Sequence, residues 1–202
     1  MERSLRAQGY GAIAGTDEAG RGPLAGPVVA ACVILPADCD PQRYRDSKQL
    51  SHGRRVELAE ELLASKALIG VGVVAAAEID RLNILQASLF AMRLAVENLP
   101  AAPDFLLVDG KQTVPVALPQ QAVVKGDSLS ASIAAASIIA KVRRDALMDA
   151  LHLEYPQYQF HCHKGYGTAD HCRLLREHGP CPEHRRSFRP VREALAAGEG
   201  GE

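Results

Sequence analysis

The 202-residue sequence predicts an α/β fold: a mixed sheet flanked by helices and followed by a small helical C-terminal region. Short apolar runs bounded by Gly or Pro, which are typical of strands, alternate with longer segments that carry apolar residues at helical spacing. From Tyr155 onward the composition changes to His, Cys, Pro, Gly and Arg. We therefore divide the chain into an α/β domain, residues 1–153, and a C-terminal helical region with a tail, residues 154–202, which belongs to the same functional unit.

Strands are predicted where apolar or β-branched residues form short runs that end at turn residues. These runs are residues 12–16, 28–35, 68–75, 105–108 and 121–124. Because only a short turn separates the first run from the second, the two are expected to form a hairpin.

Helices are predicted from apolar residues at three- and four-residue steps. Residues 51–65 form one, with Ser51 as its N-cap. The apolar stripe from Leu82 to Leu99 predicts one continuous helix over 78–99, and further helices are expected at 128–153 and 168–178. The first half of helix 128–153 is so rich in small residues that it must pack closely, most simply on the sheet. Residues 196–202 resemble a frayed tail.

The charge balance gives no general electrostatic reason to expect nucleic-acid binding, since 23 basic residues face 24 acidic ones. Binding would depend on local patches, Lys141-Arg143-Arg144 or Arg185-Arg186-Arg189, and each patch could equally be a solvated face. Aromatic residues make up only 4 % of the chain and Trp is absent, which argues against an extended stacking platform for single strands.

The five cysteines are odd in number and have no CxxC spacing, so free thiols in a reducing compartment are the simplest explanation. Residues 1–8 are polar and charged, unlike a signal peptide, and the longest apolar run, residues 67–77, is too short to span a bilayer. We expect a cytoplasmic protein that does not enter the membrane and is monomeric.

The most informative segment is Asp17-Glu18-Ala19-Gly20-Arg21-Gly22, which follows the first predicted strand. Two adjacent carboxylates repel each other, and a hard metal ion is the simplest partner that offsets this repulsion. Glycines allow backbone amides to approach a ligand closely. The combination suggests chemistry on a phosphodiester.

Two further acids, Asp109 and Asp127, also come at or just past the end of an apolar run. Carboxylates that converge from separate strands at one sheet edge would build an all-oxygen site suited to Mg²⁺ or Mn²⁺. Each acid has an alternative, since Asp109-Gly110 is a common turn pair and Asp127 could be the N-cap of the long helix.

Several motifs together resemble the type 2 ribonucleases H, the bacterial ribonuclease HII family. They occur in the family's order over nearly the whole chain and are GTDEAGRGPLAGPV at 15–28, DSKQLS at 46–51, VDG at 108–110, KGD at 125–127, SIAAASIIAKVRRD at 132–145, HKGYGT at 163–168 and HRRSF at 184–188.

The resemblance implies a ribonuclease H-like fold with a helical C-terminal region. It implies an acidic quartet, Asp17, Glu18, Asp109 and Asp127, that binds Mn²⁺ or Mg²⁺ and is catalytic. It also implies endonucleolytic cleavage of the RNA in RNA–DNA hybrids and 5′ to a single ribonucleotide in duplex DNA, leaving 3′-hydroxyl and 5′-phosphate ends.

The resemblance further implies that Gly20, Arg21 and Gly22 read the 2′-hydroxyl through close backbone contacts, where a Cβ at either glycine would intrude. Tyr166 would stack on the sugar of the following deoxynucleotide, although core packing or a surface aromatic flanked by two flexible glycines are the alternatives. Lys48 and Lys164 are candidate phosphate contacts or simply solvated lysines. Asp145 is left out of the metal set, because its position within a helix favours an ion pair.

Other functions are weighed against this one. The C-terminal His and Cys residues invite a zinc site, but they lack the tight ligand pairs of structural zinc. GxxxxGK[ST] is absent, which excludes a P-loop nucleotidase at the level of motifs. A phosphotransferase or ATPase with acidic strand ends and a metal-stabilised nucleic-acid-binding module remain as alternatives.

Overall fold

The computed structural model describes residues 1–44 and 50–199. In these residues a five-stranded sheet has the order β3-β2-β1-β4-β5 and consists of Ile13–Ala19 (β1), Val28–Ile34 (β2), Leu68–Val74 (β3), Phe105–Asp109 (β4) and Gln120–Val123 (β5). β2 pairs antiparallel with β1 and β3, while β4 pairs parallel with β1 and β5. The predicted mixed sheet and its hairpin are confirmed.

Helices cover both faces of the sheet and build the C-terminal region. They are Glu2–Ala7 (α1), His52–Ala64 (α2), Ala76–Leu82 (α3), Ile84–Glu97 (α4), Gly126–Leu129 (α5), Ala131–Glu154 (α6), Phe160–His163 (α7), Ala169–His178 (α8) and Arg189–Glu199 (α9). α4 packs against β1, β2 and β3 on one face, and α6 packs with α2 against the other. The sheet is therefore the middle layer of three.

α6 lies unusually close to β1 because small residues line the contact. Ala134, Ala135 and Ala136 are fully buried. A Cβ at Gly15 would overlap Ile133 N and lie 2.7 Å from Ser132 Oγ. The expected close packing of this small-residue helix on the sheet is confirmed, and it fixes the start of α6 beside the acidic end of β1.

The structure differs from the predicted elements at three places. The predicted helix 78–99 is two helices, because Asn83 has φ 70° and its side chain accepts hydrogen bonds from the Leu85 and Gln86 amides to begin α4. The predicted helix 128–153 begins instead at Ala131, with Ser130 as its N-cap, after the one-turn α5. The supposed frayed tail is helical as far as Glu199, since α9 packs through the buried Val191.

In the described part of the chain, no helix is long and apolar enough to cross a membrane. All five cysteines are free thiols.

Candidate active site

Asp17 and Asp109 lie side by side where β1 and β4 run parallel. The register pairs Thr16 with Val108, so these two acids are the next residue on each strand. Side chains alternate along a strand, which places Asp17 on the same face as Gly15, towards the start of α6. Asp17 is buried, at 3 % exposure, and its Oδ1 accepts a hydrogen bond of 2.7 Å from the Glu18 amide.

Asp127 lies in α5, the short helix that follows β5. It is buried within α5, directly after Gly126, whose amide donates a hydrogen bond of 2.7 Å to Asp109 Oδ1. The proposal that Asp127 is the N-cap of the long helix is wrong, because Ser130 accepts the capping bond from Ile133 N. Capping of α6 therefore does not explain why an acid stands at position 127, directly beside the Gly126 amide that binds Asp109.

Glu18 extends to the opposite face of β1, as strand alternation requires. It lines a small pocket together with Asp109 and Arg21, and Arg21 Nη1 lies 3.1 Å from Glu18 Oε1. Burial raises the pKa of Glu18, Arg21 counteracts this, and the charge of Asp109 raises it further. Negative charge is therefore crowded at this edge, and a cation would relieve the crowding.

The carboxylates are neighbours but do not form a finished metal cage. Within residues 1–44 and 50–199, no group of three or more His, Cys, Asp or Glu side chains is arranged so that it could hold a metal ion. Hydrogen bonds hold Asp109 to Gly126 and Glu18 to Arg21. The donor chemistry, all carboxylate oxygen, fits Mg²⁺ or Mn²⁺.

The loop between β1 and β2, residues 20–27, places Gly20 and Gly22 in very different surroundings. Gly20 has φ +98°, and a Cβ there would overlap the Nε and Cδ of Arg144 and lie 2.9 Å from Pro27 O. A Cβ at Gly22 would meet only Tyr166 Cε1, at 3.8 Å. That a Cβ would intrude on substrate at both positions stays a prediction, and at Gly20 the Cβ would also strike the protein itself.

Tyr166 stands beside this loop with 43 % of its surface exposed. Lys141 Nζ and Arg144 Cζ lie 6.0 and 5.9 Å from its ring centroid. The exposure rules out core packing, leaves a surface aromatic beside flexible glycines as the alternative, and leaves stacking on a sugar as a prediction.

The other predicted contacts have varied outcomes. Lys164 forms an ion pair with Asp149, so a phosphate would have to compete with that carboxylate. Lys48 lies outside the described residues. Asp145 forms the expected ion pair, with Lys141 Nζ 2.6 Å from its Oδ1.

Two buried histidines, His171 and His184, are hydrogen-bonded to each other and to the Tyr166 main chain. The Cys181 amide donates to His184 Nδ1 at 3.1 Å, which leaves the proton of neutral His184 on Nε2, 3.1 Å from His171 Nε2. His171 in turn donates from Nδ1 to Tyr166 O at 2.9 Å. Burial lowers the pKa of His171 to about 4 and of His184 to about 3. These bonds occupy the ring nitrogens of His171 and His184, two of the histidines in the zinc alternative.

Two arginines that the sequence grouped into surface patches are in fact fully buried. Arg144 and Arg185 are each 0 % exposed, whereas Arg143, Arg186 and Arg189 are exposed. Neither patch exists as predicted, because each contains a buried arginine. Helical spacing aligns Arg144 with the buried Ala140 and Met148, but no local pattern predicts that an arginine is buried there or separates Arg185 from Arg186.

Comparison with known proteins gives this geometry a context. The sequence model of the ribonuclease HII family matches residues 14–191. Ribonuclease HII of Desulfotalea psychrophila is 57 % identical over 196 residues, which cover 96 % of this chain and 87 % of that protein. The crystal structure of ribonuclease H2 from Pyrococcus horikoshii OT3 has a TM-score of 0.78 at 25 % identity, covering 93 % of this chain and 98 % of that one.

A third match, Bst-RNase HIII in complex with Mn²⁺, has a TM-score of 0.73 at 20 % identity and covers 99 % of this chain and 75 % of that chain. At that identity the match shows a common fold only. The shared architecture is the ribonuclease H-like fold, as the motifs implied. Within this class the chain belongs to the ribonuclease HII family and is a type 2 ribonuclease H.

Proposed function

We propose that this ribonuclease HII hydrolyses the RNA strand of RNA–DNA hybrids and cuts 5′ to a single ribonucleotide embedded in duplex DNA. The products would carry 3′-hydroxyl and 5′-phosphate ends. Membership of the family supports nuclease action on RNA. The observation that favours recognition of a lone ribonucleotide is the proximity of the exposed Tyr166 ring to Gly22, where an added Cβ would lie 3.8 Å from Tyr166 Cε1, one residue after the Arg21 that pairs with Glu18.

The proposed catalytic group is the acidic quartet. Asp17, Glu18, Asp109 and Asp127 are the residues that would hold Mn²⁺ or Mg²⁺. Such ions, when bound, activate water and stabilise the leaving oxygen of a phosphodiester. In the absence of substrate, Arg21 balances the charge of Glu18 through their ion pair. Nothing in this role requires a nucleophilic side chain, since phosphodiester hydrolysis depends on positioning and charge stabilisation.

The proposed reading surface is the loop 20–22 together with Tyr166. A 2′-hydroxyl is both donor and acceptor, and it is the group that distinguishes RNA from DNA. Backbone groups at Gly22 are open to a ligand, because a Cβ at that position would meet nothing closer than 3.8 Å. The Tyr166 ring would stack on the sugar of the next nucleotide, where a second 2′-hydroxyl would disturb the contact. A ribonucleotide followed by a deoxyribonucleotide would fit both features. Lys164 and Lys48 are proposed as weaker contacts to phosphate.

The test is cleavage of a DNA duplex that carries one ribonucleotide, with and without Mn²⁺ or Mg²⁺. We expect an ion-dependent cut on the 5′ side of the ribonucleotide and no cut in the matched all-DNA duplex. Asp17→Asn should abolish cleavage while duplex binding largely survives. Asp170→Asn is the control, because the Asp170 side chain is 79 % exposed on α8.

Three outcomes would contradict the proposal. Turnover of nucleoside triphosphates without duplex cleavage would indicate a phosphotransferase or ATPase. Binding without cleavage by the wild-type protein would indicate a binding module. Full cleavage by the Asp17→Asn protein would remove this carboxylate from its assigned role. We further propose that the protein is a cytoplasmic monomer, and light scattering on the purified chain tests its oligomeric state.

A further inference from the structure

Arg144 and Arg185 converge beneath the loop 20–27 with their guanidinium groups directed at main-chain oxygens. Arg185 donates from Nη2 to Gly20 O at 2.6 Å and from Nη1 to Arg21 O at 3.0 Å. It also donates from Nε to Gly26 O at 3.0 Å and from Nη2 to Pro27 O at 3.2 Å. One side chain therefore joins the two ends of the loop.

Arg144 makes a second set of bonds from α6. It donates from Nε to Pro27 O at 3.0 Å and from Nη2 to Ala25 O at 3.2 Å. Its Nη1 donates to Lys164 O at 3.0 Å, two residues before Tyr166. The loop that carries Gly20 and Gly22 and the loop that carries Tyr166 are therefore tied to the same guanidinium group.

Placing two cations here is costly, which argues that the arrangement serves more than packing. Burial and, next in size, the nearby charge of Arg144 together lower the pKa of Arg185 to about 9. Burial also lowers the pKa of Arg144. Apolar residues of similar volume would avoid this cost. Only a guanidinium group offers five donors in a rigid planar fork, as several divergent carbonyls require.

We propose that Arg144 and Arg185 are positioning residues that hold the loop 20–27 and the Tyr166 loop in one fixed frame and so determine discrimination for the ribonucleotide. This inference rests on the proposed function. It also gives the C-terminal region a role in recognition, since Arg185 reaches the loop from a segment that pairs with it: Ala25 bridges to His184, and the Arg185 amide donates to Leu24 O at 2.8 Å.

The first test is amide hydrogen exchange in Arg185→Lys, which keeps the charge but cannot reach four carbonyls. The amides of Leu24 and Gly26 are bonded to Gly165 O and Glu183 O, each at 2.8 Å. We expect these two amides to exchange at least tenfold faster, with β1 and β2 amides unchanged. Exchange at wild-type rates in the loop, or a uniform rise throughout the sheet, would overturn the proposal.

The second test separates positioning from folding. Duplex binding is measured in an Asp17→Asn background. The dissociation constant for the all-DNA duplex, divided by that for the ribonucleotide-containing duplex, should fall at least threefold when Arg185→Lys is added. Loss of folded protein changes the active fraction but leaves this ratio constant. An unchanged ratio would refute the proposal, and Arg192→Lys, an exposed position on α9, is the matched control.

A second variant and the wild-type protein distinguish a folding defect, a failure of the proposed function and a failure of this inference. If Arg185→Lys does not fold, Arg144→Lys is put through the same two measurements with the same expected and contrary results. Wild-type protein that fails to cut the lone ribonucleotide contradicts the proposed function. Wild-type protein that cuts it, with Arg185→Lys and Arg144→Lys both discriminating normally, contradicts only the inference about the arginines.

Discussion

Replacing Gly20 and Gly22 by alanine, one at a time, should separate the structural and recognition roles of the loop. At Gly20 the new Cβ would overlap Arg144, whose three hydrogen bonds to carbonyls leave it little room to move. The residue would also keep φ +98°, which costs a non-glycine residue about 1–2 kcal/mol. Overpacking adds about 1–3 kcal/mol. The total for Gly20→Ala is therefore about 2–5 kcal/mol of unfolding free energy.

Gly22→Ala should behave differently, because its Cβ would make one ordinary contact of 3.8 Å with Tyr166. Substitutions without a clash or strain usually change stability by less than about 0.5 kcal/mol. For a domain of this size, 1 kcal/mol shifts Tm by about 2–4 °C. Gly20→Ala should thus lower Tm by roughly 5–15 °C, and Gly22→Ala by less than about 2 °C.

The assay pairs thermal unfolding with cleavage of the single-ribonucleotide duplex well below either Tm. We expect Gly22→Ala to lose at least tenfold in kcat/KM at nearly wild-type Tm, and Gly20→Ala to lose both activity and stability. A wild-type Tm for Gly20→Ala would refute the packing argument. Wild-type activity for Gly22→Ala would refute the assignment of this glycine to substrate reading.

Three further predictions concern stability. His171 and His184 are neutral in the fold and titrate near pH 6.5 when unfolded, so the unfolded chain binds more protons and stability should fall as pH drops from about 6.5 towards 4. The loss should be up to about 2 kcal/mol for each histidine by pH 5, and His171→Gln should show a smaller fall of Tm between pH 7.5 and 5. Glu2→Ala should lower Tm by roughly 3–8 °C, because Glu2 Oε1 accepts bonds from the Ser132 amide and two hydroxyls at the start of α6. Thermal unfolding measures this shift, and chemical denaturation at pH 7 measures the loss of unfolding free energy. Asp80→Ala should increase proteolysis near residue 186, because Asp80 accepts hydrogen bonds from the amides of residues 186 and 187; equal cleavage in both proteins would contradict this.

The elements that sequence patterns predict well are those in which local chemistry and tertiary packing agree. The predicted and observed strands agree within a few residues, because the apolar runs bounded by Gly or Pro also form the buried sheet. Ser51 does cap α2, as its position before the apolar stripe indicated. Asp17, Glu18 and Asp109 could be selected because polar residues at the end of buried strands have few structural explanations.

The remaining features do not follow from hydrophobic spacing. The stripe from residue 82 to 99 is continuous and hides the break between α3 and α4, which Asn83 makes as the local N-cap of α4. The burial of Arg144 beside the exposed Arg143 follows from the position of α6 under the loop 20–27. That position is set by packing against β1, which no window along the chain contains.

We propose that acidic side chains from β1, β4 and α5 act as one divalent-cation site. Calorimetric titration of the substrate-free protein with Mn²⁺ tests it most directly, with Asp109→Asn, Asp127→Asn and the exposed Asp170→Asn compared with wild type. We predict that wild type and Asp170→Asn bind Mn²⁺ equally and that each of the other two variants weakens binding at least tenfold. Equal Mn²⁺ affinity in all four proteins would contradict the assignment of Asp109 and Asp127 as metal ligands.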